Sequence, residues 1–223
     1  MKIIGWGIVA VALLFPALAY SQRVLIGGKV GGQINNPIGY PPGPDSSSSQ
    51  DRILFGPMME VHATHGMSVE FDALYSKFAD VSSFCCGFAG ASAPQIIGTS
   101  TTSIHSWQLP LILKWRLQLH RQAISLGAGF SSRYISSASH LSATQQGFIG
   151  GPTVPVDLRS SDSNWTYGPV FAAGISFRAG IIRLQPELRY IRWNDSPLPA
   201  GKLDSFQALI GISAGLGGAN TRF

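Results

Sequence analysis

The sequence predicts an all-β protein, an eight-stranded antiparallel up-and-down transmembrane β-barrel. Three observations carry the prediction. The first is strict alternation. Residues 107–117, WQLPLILKWRL, place Trp107, Leu109, Leu111, Leu113, Trp115 and Leu117 on one parity and Gln108, Pro110, Ile112, Lys114 and Arg116 on the other. Such a run is one strand with an apolar face and a largely polar one. The second is a charged fraction of 12 %, about half the ~25 % of soluble domains. Past residues 3–18 there is no run of the ~18 apolar residues that a spanning helix needs. The third is a rhythm of connections, long and short in turn, which an up-and-down barrel gives when its two rims differ.

The chain opens with MKIIGWGIVAVALLFPALAYSQ. Lys2, an apolar core over 3–18 and small residues at Ala17, Ala19 and Ser21 make residues 1–21 a signal peptide. Residues 22–223 then form a single outer-membrane barrel domain. No cysteine follows the apolar core, so no lipid anchor is expected.

Eight strands follow, at 24–32, 52–62, 67–78, 104–117, 122–135, 165–178, 181–192 and 204–216, rich in Val, Ile, Phe, Tyr and Trp and bounded by Gly, Pro, Ser and Asn. In the first, Ile26 and Val30 alternate with Lys29 and glycines. The second sets Phe55, Met59 and Val61 against Gly56 and Glu60, and the third Val69, Phe71 and Tyr75 against Glu70 and Asp72. The fourth is the Trp107 run. In the fifth, Ile124, Leu126, Phe130 and Tyr134 face away from Gly127, Gly129 and Arg133. The sixth opposes Tyr167, Phe171, Ile175 and Phe177 to Gly168 and Gly174. The seventh opposes Ile182, Leu184, Leu188 and Tyr190 to Arg183, Glu187 and Arg189, and the eighth Phe206, Ile210 and Ile212 to Gly211. Short turns fall at 63–66, 118–121 and 178–180, and long connections, expected to be external loops, at 33–51, 79–103, 136–164 and 194–202. Pro57, Pro110, Pro169 and Pro186 each lack a ladder donor and mark places where strands are expected to break.

The polar parity suits a narrow interior, where small residues must let side chains converge. Its charges nearly balance: Lys29, Lys114, Arg116, Arg133, Arg183 and Arg189 against Glu60, Glu70, Asp72 and Glu187. These ten are the expected polar network of the lumen, since confined charges of both signs can pair. The apolar parity sorts its aromatics by height, with Phe55, Tyr75, Trp107, Tyr134, Tyr167 and Tyr190 near one end of their strands and Trp115 and Phe177 near the other. Aromatic rims flanking an aliphatic band are interface girdles, so this face is expected to meet lipid.

SWQLPLILKWRL, GPMMEV and LQPELRYIRW resemble the recurring strands of the small outer-membrane β-barrel domain family of Gram-negative bacteria. The resemblance runs over essentially all of 22–223 and implies an eight-stranded barrel of the OmpA and OmpX type. It implies outer-membrane lipid and lipopolysaccharide as surroundings and the barrel-assembly machinery as the partner for insertion, with no activity attached. The last residue, Phe223, fits that family, whereas GLGGANTRF lacks the apolar alternation that usually leads to it.

Candidate chemistry is sparse, and no cofactor, metal or catalytic residue is assigned. Cys85 and Cys86 are adjacent in the long connection 79–103 and are either free or bridged to each other. His62 and His65 flank a turn without a third ligand nearby. His105 and Ser132 share the lipid parity on neighbouring strands, but no outward carboxylate accompanies them, as a Ser/His hydrolase would require. GGKVGG (27–32) is not followed by a helix, so it is no phosphate loop. LFGPMMEV (54–61) and TYGPVFAA (166–173) echo each other as two similar strand starts. The charge excess is scattered, which disfavours nucleic acid. The function expected is a structural or surface-interaction barrel with a lumen filled by side chains and a ligand or protein partner of its loops unspecified. The alternatives are a soluble secreted or periplasmic ligand-binding barrel and an outer-membrane lipid-modifying enzyme.

Overall fold

The computed structural model describes residues 23–35, 46–49, 53–63, 66–87, 95–119, 122–146, 153–195 and 203–216. The expected signal peptide (1–21), His65 and Phe223 lie outside them. The strands are β1 (Arg23–Gln33), β2 (Ser46–Ser49), β3 (Ile53–His62), β4 (Met67–Asp72), β5 (Leu74–Gly87), β6 (Gln95–Leu119), β7 (Gln122–Gln146), β8 (Thr153–Ala179), β9 (Ile182–Arg192) and β10 (Asp204–Leu216). Each pairs antiparallel with its neighbours, and β1 pairs with both β10 and β3, which closes the sheet on itself. β4 and β5 are the two halves of one crossing, separated at Ala73, and β2 only adds to the outer part of β5. The ring therefore has eight crossings.

Side chains alternate across the wall as strand geometry demands. Ile26, Val30, Phe55, Val69, Phe71, Leu111, Leu113, Leu126, Phe130, Phe171, Leu188, Ile210 and Ile212 point outward and are exposed. Lys29, Glu60, Glu70, Asp72, Lys114, Arg133, Glu187 and Arg189 point inward and are buried. A surface this apolar around an interior this charged is inverted relative to a soluble barrel, and lipid is the solvent that permits it. The chain is a transmembrane β-barrel.

The short turns are local. Gly66 (φ +83°) and Gly180 (φ +65°) adopt the left-handed conformation that closes the β3–β4 and β8–β9 hairpins. Pro57 and Pro110 stay within their own strands, and the break falls in the strand between them. Pro57 is the facing partner of Ala73 by register, and the ladder between β6 and the third crossing is interrupted beside Pro110. With a proline on each flank, the third crossing is interrupted at Ala73 and resumes in the same register, Ala73 still donating its N–H to Pro57 O at 3.0 Å. The Ala73 carbonyl oxygen lies 1.8 Å from where a Cβ on Gly56 would be, so only glycine fits there. Pro186 acts similarly, since the β8–β9 ladder skips Ile175 and Ser176 opposite it.

The connections 79–103 and 136–164 differ from the expected loops. Most of each is strand, with β5, β6, β7 and β8 paired continuously from the barrel wall out to Gly87, Gln95, Gln146 and Thr153. Ser and Thr dominate these segments, and the binary pattern of apolar and polar residues does not register them as strands. Pairing persists because the hairpin register is already set by the wall, so each added pair closes no new loop. Phe78, Ile104 and Ile135 form an apolar cluster on the inner face at the base of this extension, and Thr102 and Ser139 hydroxyls meet at 3.1 Å above it.

A cation placed on the outer face near mid-strand costs roughly 2–4 kcal/mol. Leu111→Arg should therefore reduce the fraction of barrel that folds into phospholipid vesicles, read as the heat-modifiable gel species. Leu111→Ile should not, and equal yields for the two would reverse the assignment of faces.

Candidate functional site: the filled lumen

The lumen is arranged in layers, and its middle layer is ionic. β1 contributes Lys29, β4 Glu70 and Asp72, β6 Lys114, and β9 Glu187 and Arg189. Lys29 Nζ lies 2.5 Å from Glu70, 3.4 Å from Asp72 and 3.3 Å from Glu187. Lys114 Nζ donates to Glu70 at 2.8 Å and also to Glu187. Arg189 donates to Glu70 at 2.8 Å and pairs with Asp72 and Glu187. Three cations and three carboxylates thus form a neutral lattice in which each carboxylate meets at least two cations. Charge-assisted bonds of this kind offset the desolvation that burying single ions would incur.

Toward the short-turn end lies a second group. Arg116 Nη2 donates to Glu60 at 2.5 Å, and Nε2 of His62 lies 3.2 Å from Arg183 and 3.4 Å from Arg116. The structure thus places His62 inside the barrel among these side chains. Among the described residues no cluster of His, Cys, Asp and Glu has the makings of a metal site.

Arg133 stands apart from both groups. Its guanidinium sits 4.2 Å over the Trp193 ring, and its Nε donates to Thr166 Oγ1 at 3.1 Å. Stacking on an aromatic face is a favourable seat for a desolvated guanidinium. The cross-strand partners of Arg133 are the buried Gln108 and Thr166, and apolar clusters also fill the lumen. Ile112, Val170, Ala172, Ile191 and Trp193 form one buried cluster, and Leu54, Leu74 and Leu209 another. Gln207 donates across the lumen to Gln108 at 2.7 Å. Reading the inward parity as polar leaves these aliphatic plugs out, because they are interspersed among the charges on the same face. Trp193 lies one residue past the expected end of its strand.

On the outside, the aromatic side chains touch in sequence around much of the wall. Phe55 packs on Tyr75 at 5.6 Å, Tyr75 on Trp107 at 5.1 Å, Tyr134 on Trp165 at 5.1 Å, Phe171 on Tyr190 at 6.5 Å and Tyr190 on Phe206 at 4.9 Å. Trp165 stacks on Tyr167. Trp165 joins the girdle although the sequence places it at a strand boundary; its shared parity with Tyr167 is the signal that finds it.

Ser132 and His105 do not meet. Ser132 faces Leu109 and Tyr167 across its ladders, whereas His105 faces Ser136 and Lys77. Four residues along a strand separate Ser132 from Ser136, about 13 Å. His105 Nδ1 is instead 2.6 Å from the Tyr75 hydroxyl. Cys85 and Cys86 are consecutive in β5, opposite Ile97 and Ile96.

No family model matches the sequence, and no curated protein matches it. Solved structures do resemble the fold. The outer membrane protein OprG from Pseudomonas aeruginosa aligns over 89 % of this chain and 97 % of its own, at 12 % identity and a TM-score of 0.51. The attachment invasion locus protein Ail of Yersinia pestis aligns over 87 % of this chain and 98 % of its own, at 10 % identity and a TM-score of 0.41. The likeness to OprG is one of fold, a bacterial eight-stranded outer-membrane barrel.

Removing Glu187 from the neutral lattice leaves three buried cations sharing only Glu70 and Asp72, and breaking a fully buried pair costs on the order of 3–5 kcal/mol. Glu187→Ala should therefore lower the unfolding midpoint of the detergent-solubilised barrel well below that of wild type, measured by heating before unheated-gel analysis. Asp195→Ala, an exposed change, should leave it nearly unchanged.

Proposed function

We propose that the chain is an outer-membrane barrel with a structural or surface-interaction role, closed to general solutes. The observation that carries this reading is the packing of the lumen. The ionic lattice, the Arg116–Glu60 pair, the two aliphatic clusters and the Arg133–Trp193 stack occupy the interior at successive heights. An eight-stranded ring has just enough interior for side chains to fill. A soluble ligand-binding barrel would need the reverse, an apolar cavity and a wetted exterior. The fold shared with OprG supports the outer membrane as its location.

In this orientation the short turns and both ends of the barrel domain face the periplasm, following the usual contrast between inner turns and outer loops. The long connections then face the medium, and whatever the protein recognises meets it there. Lipopolysaccharide surrounds the outer face, and insertion depends on the barrel-assembly machinery.

Two measurements test the reading. Purified protein in planar bilayers should give no stable porin-sized conductance, and a steady large current would refute the closed lumen. On intact cells, external protease should cut within 33–51, 79–103, 136–164 or 194–202 and spare 63–66 and 118–121. Cleavage confined to the latter would invert the orientation.

A further inference from the structure

Above the aromatic girdle the wall is lopsided. β9, β10, β1 and β3 stop near girdle height, whereas β5, β6, β7 and β8 continue together as a sheet. Its outward parity is the one that carries the girdle, so it continues the lipid-facing surface of these four strands without interruption. Tyr75, Trp107, Tyr134 and Trp165 lie in one cross-strand row, and the next outward row holds Lys77 and His105. Two rows further, Thr101, His140 and Arg159 are neighbours across the sheet, with Ser103 and Ser161 in the row between. These side chains line a shallow depression of about 470 Å³. Asp157 lies 2.9 Å from His140 Nε2 and 3.9 Å from Arg159 Nε, and holds both at its rim.

Height and chemistry together select an occupant. The Arg159 row is six residues beyond the girdle, about 20 Å along the strands and roughly 15 Å above the interface once the strand tilt is allowed for. The polar zone of a phospholipid leaflet is only about 5–8 Å thick. An ordinary phospholipid reaches Lys77 and no further. A membrane lipid that fills the depression must carry sugars. The hydroxyls of Thr101, Ser103 and Ser161 are hydrogen-bonding partners for a saccharide, and the basic side chains suit phosphate or carboxylate groups on it.

We propose that this outward face of β5–β8 seats the phosphorylated saccharide headgroup of an outer-leaflet glycolipid, with Lys77 against phosphate near the interface and His140 and Arg159 gripping the sugars above it. The inference rests on the outer-membrane reading and gives it a partner held on one side of the barrel. It makes the extension a lateral clamp on the surrounding leaflet.

The test uses the full barrel in phosphatidylethanolamine/phosphatidylglycerol vesicles, titrated with a bisphosphorylated, core-sugar-bearing lipopolysaccharide, with bound glycolipid counted by native mass spectrometry. Lys77→Gln/Arg159→Gln should bind at least fivefold more weakly than wild type, and His140→Gln should weaken binding by itself. Arg192→Gln, an exposed cation at the girdle end of β9, outside the four extended strands, should change nothing. A glycolipid truncated to its acylated, phosphorylated core should remain sensitive to Lys77→Gln and lose its sensitivity to Arg159→Gln. Equal binding by wild type and the double variant overturns the inference, as does an equal loss in Arg192→Gln, which would mean diffuse charge attraction. Undiminished binding of the deacylated, water-soluble headgroup overturns it in favour of a free-glycan site. A chain that does not insert into the vesicles at all removes the outer-membrane reading and this inference with it. Insertion without a difference among the variants removes the inference alone.

Discussion

A closed ring of strands in lipid has one interior, and every charge on its membrane-spanning parts must be accommodated there. In this chain that constraint is met by the lattice of Lys29, Lys114 and Arg189 with Glu70, Asp72 and Glu187. The six groups come from β1, β4, β6 and β9, of which only β4 and β6 are neighbours in the ring. The lattice therefore ties opposite walls together as well as balancing charge. It also fixes register. A slip of one residue in any of these strands would turn a lysine or glutamate to the lipid and an aliphatic residue to the lattice, a double loss. The outward band of Leu, Ile and Phe and the inward charges are two consequences of one alternation.

Two Gly-Pro sequences in the barrel wall show how the ring accommodates irregularity without opening. Gly56-Pro57 and Gly168-Pro169 begin the echoing segments of the sequence. In both, the neighbouring strand's carbonyl lies over the glycine: Ala73 O is 1.8 Å and Arg192 O 1.9 Å from the position a Cβ would take. Carbonyls approach the Cβ positions of Gly27, Gly31 and Gly129 to 2.0 Å in the same way without a proline beside them, so it is the missing Cβ that admits the facing carbonyl. At the first site the third crossing is interrupted at Ala73 and resumes in the same register as β5. At the second, β9 ends, and Asn194 takes over by donating its N–H to Tyr167 O and accepting from Tyr167 N–H through its side chain. Each of the two dipeptides thus sits where a neighbouring ladder is interrupted or ends.

Much of this was legible in the sequence, because alternation is a strong signal when one face must be apolar throughout. The eight crossings, their faces and the short turns follow from it. The extensions of β5 to β8 were not legible, since on leaving the lipid a strand no longer needs an apolar face. The runs TSTTS (99–103) and SSAS (136–139) carry no binary pattern to read. The aliphatic plugs were hidden for the opposite reason. Leu54, Ile112, Val170 and Leu209 share a parity with Lys and Glu, and a face averaged along its strand reads as polar although it changes character with height. The pairing of Arg133 with Trp193 joins residues 60 apart in sequence, on a strand and just past the end of another, and only the closed ring brings them together.

A protruding sheet raises its own physical problem, because it has edges where the barrel has none. Unpaired strand edges invite association with other chains. Here each edge is blunted. On one side β2 pairs with Ala79–Ser82 of β5. On the other, the outer part of β8 carries Pro155, Asp157, Arg159 and Asp162, a proline and alternating charges that oppose the docking of a further strand. With the edges blunted, what the extension presents to its surroundings is its broad outward face. Along that face the aromatic row is followed by Lys77 and His105, then by Ser103 and Ser161, and then by His140 and Arg159 beside Thr101. The strands that could have ended at the girdle, as the remaining strands of the ring do, instead carry basic and hydroxyl side chains outward from the lipid.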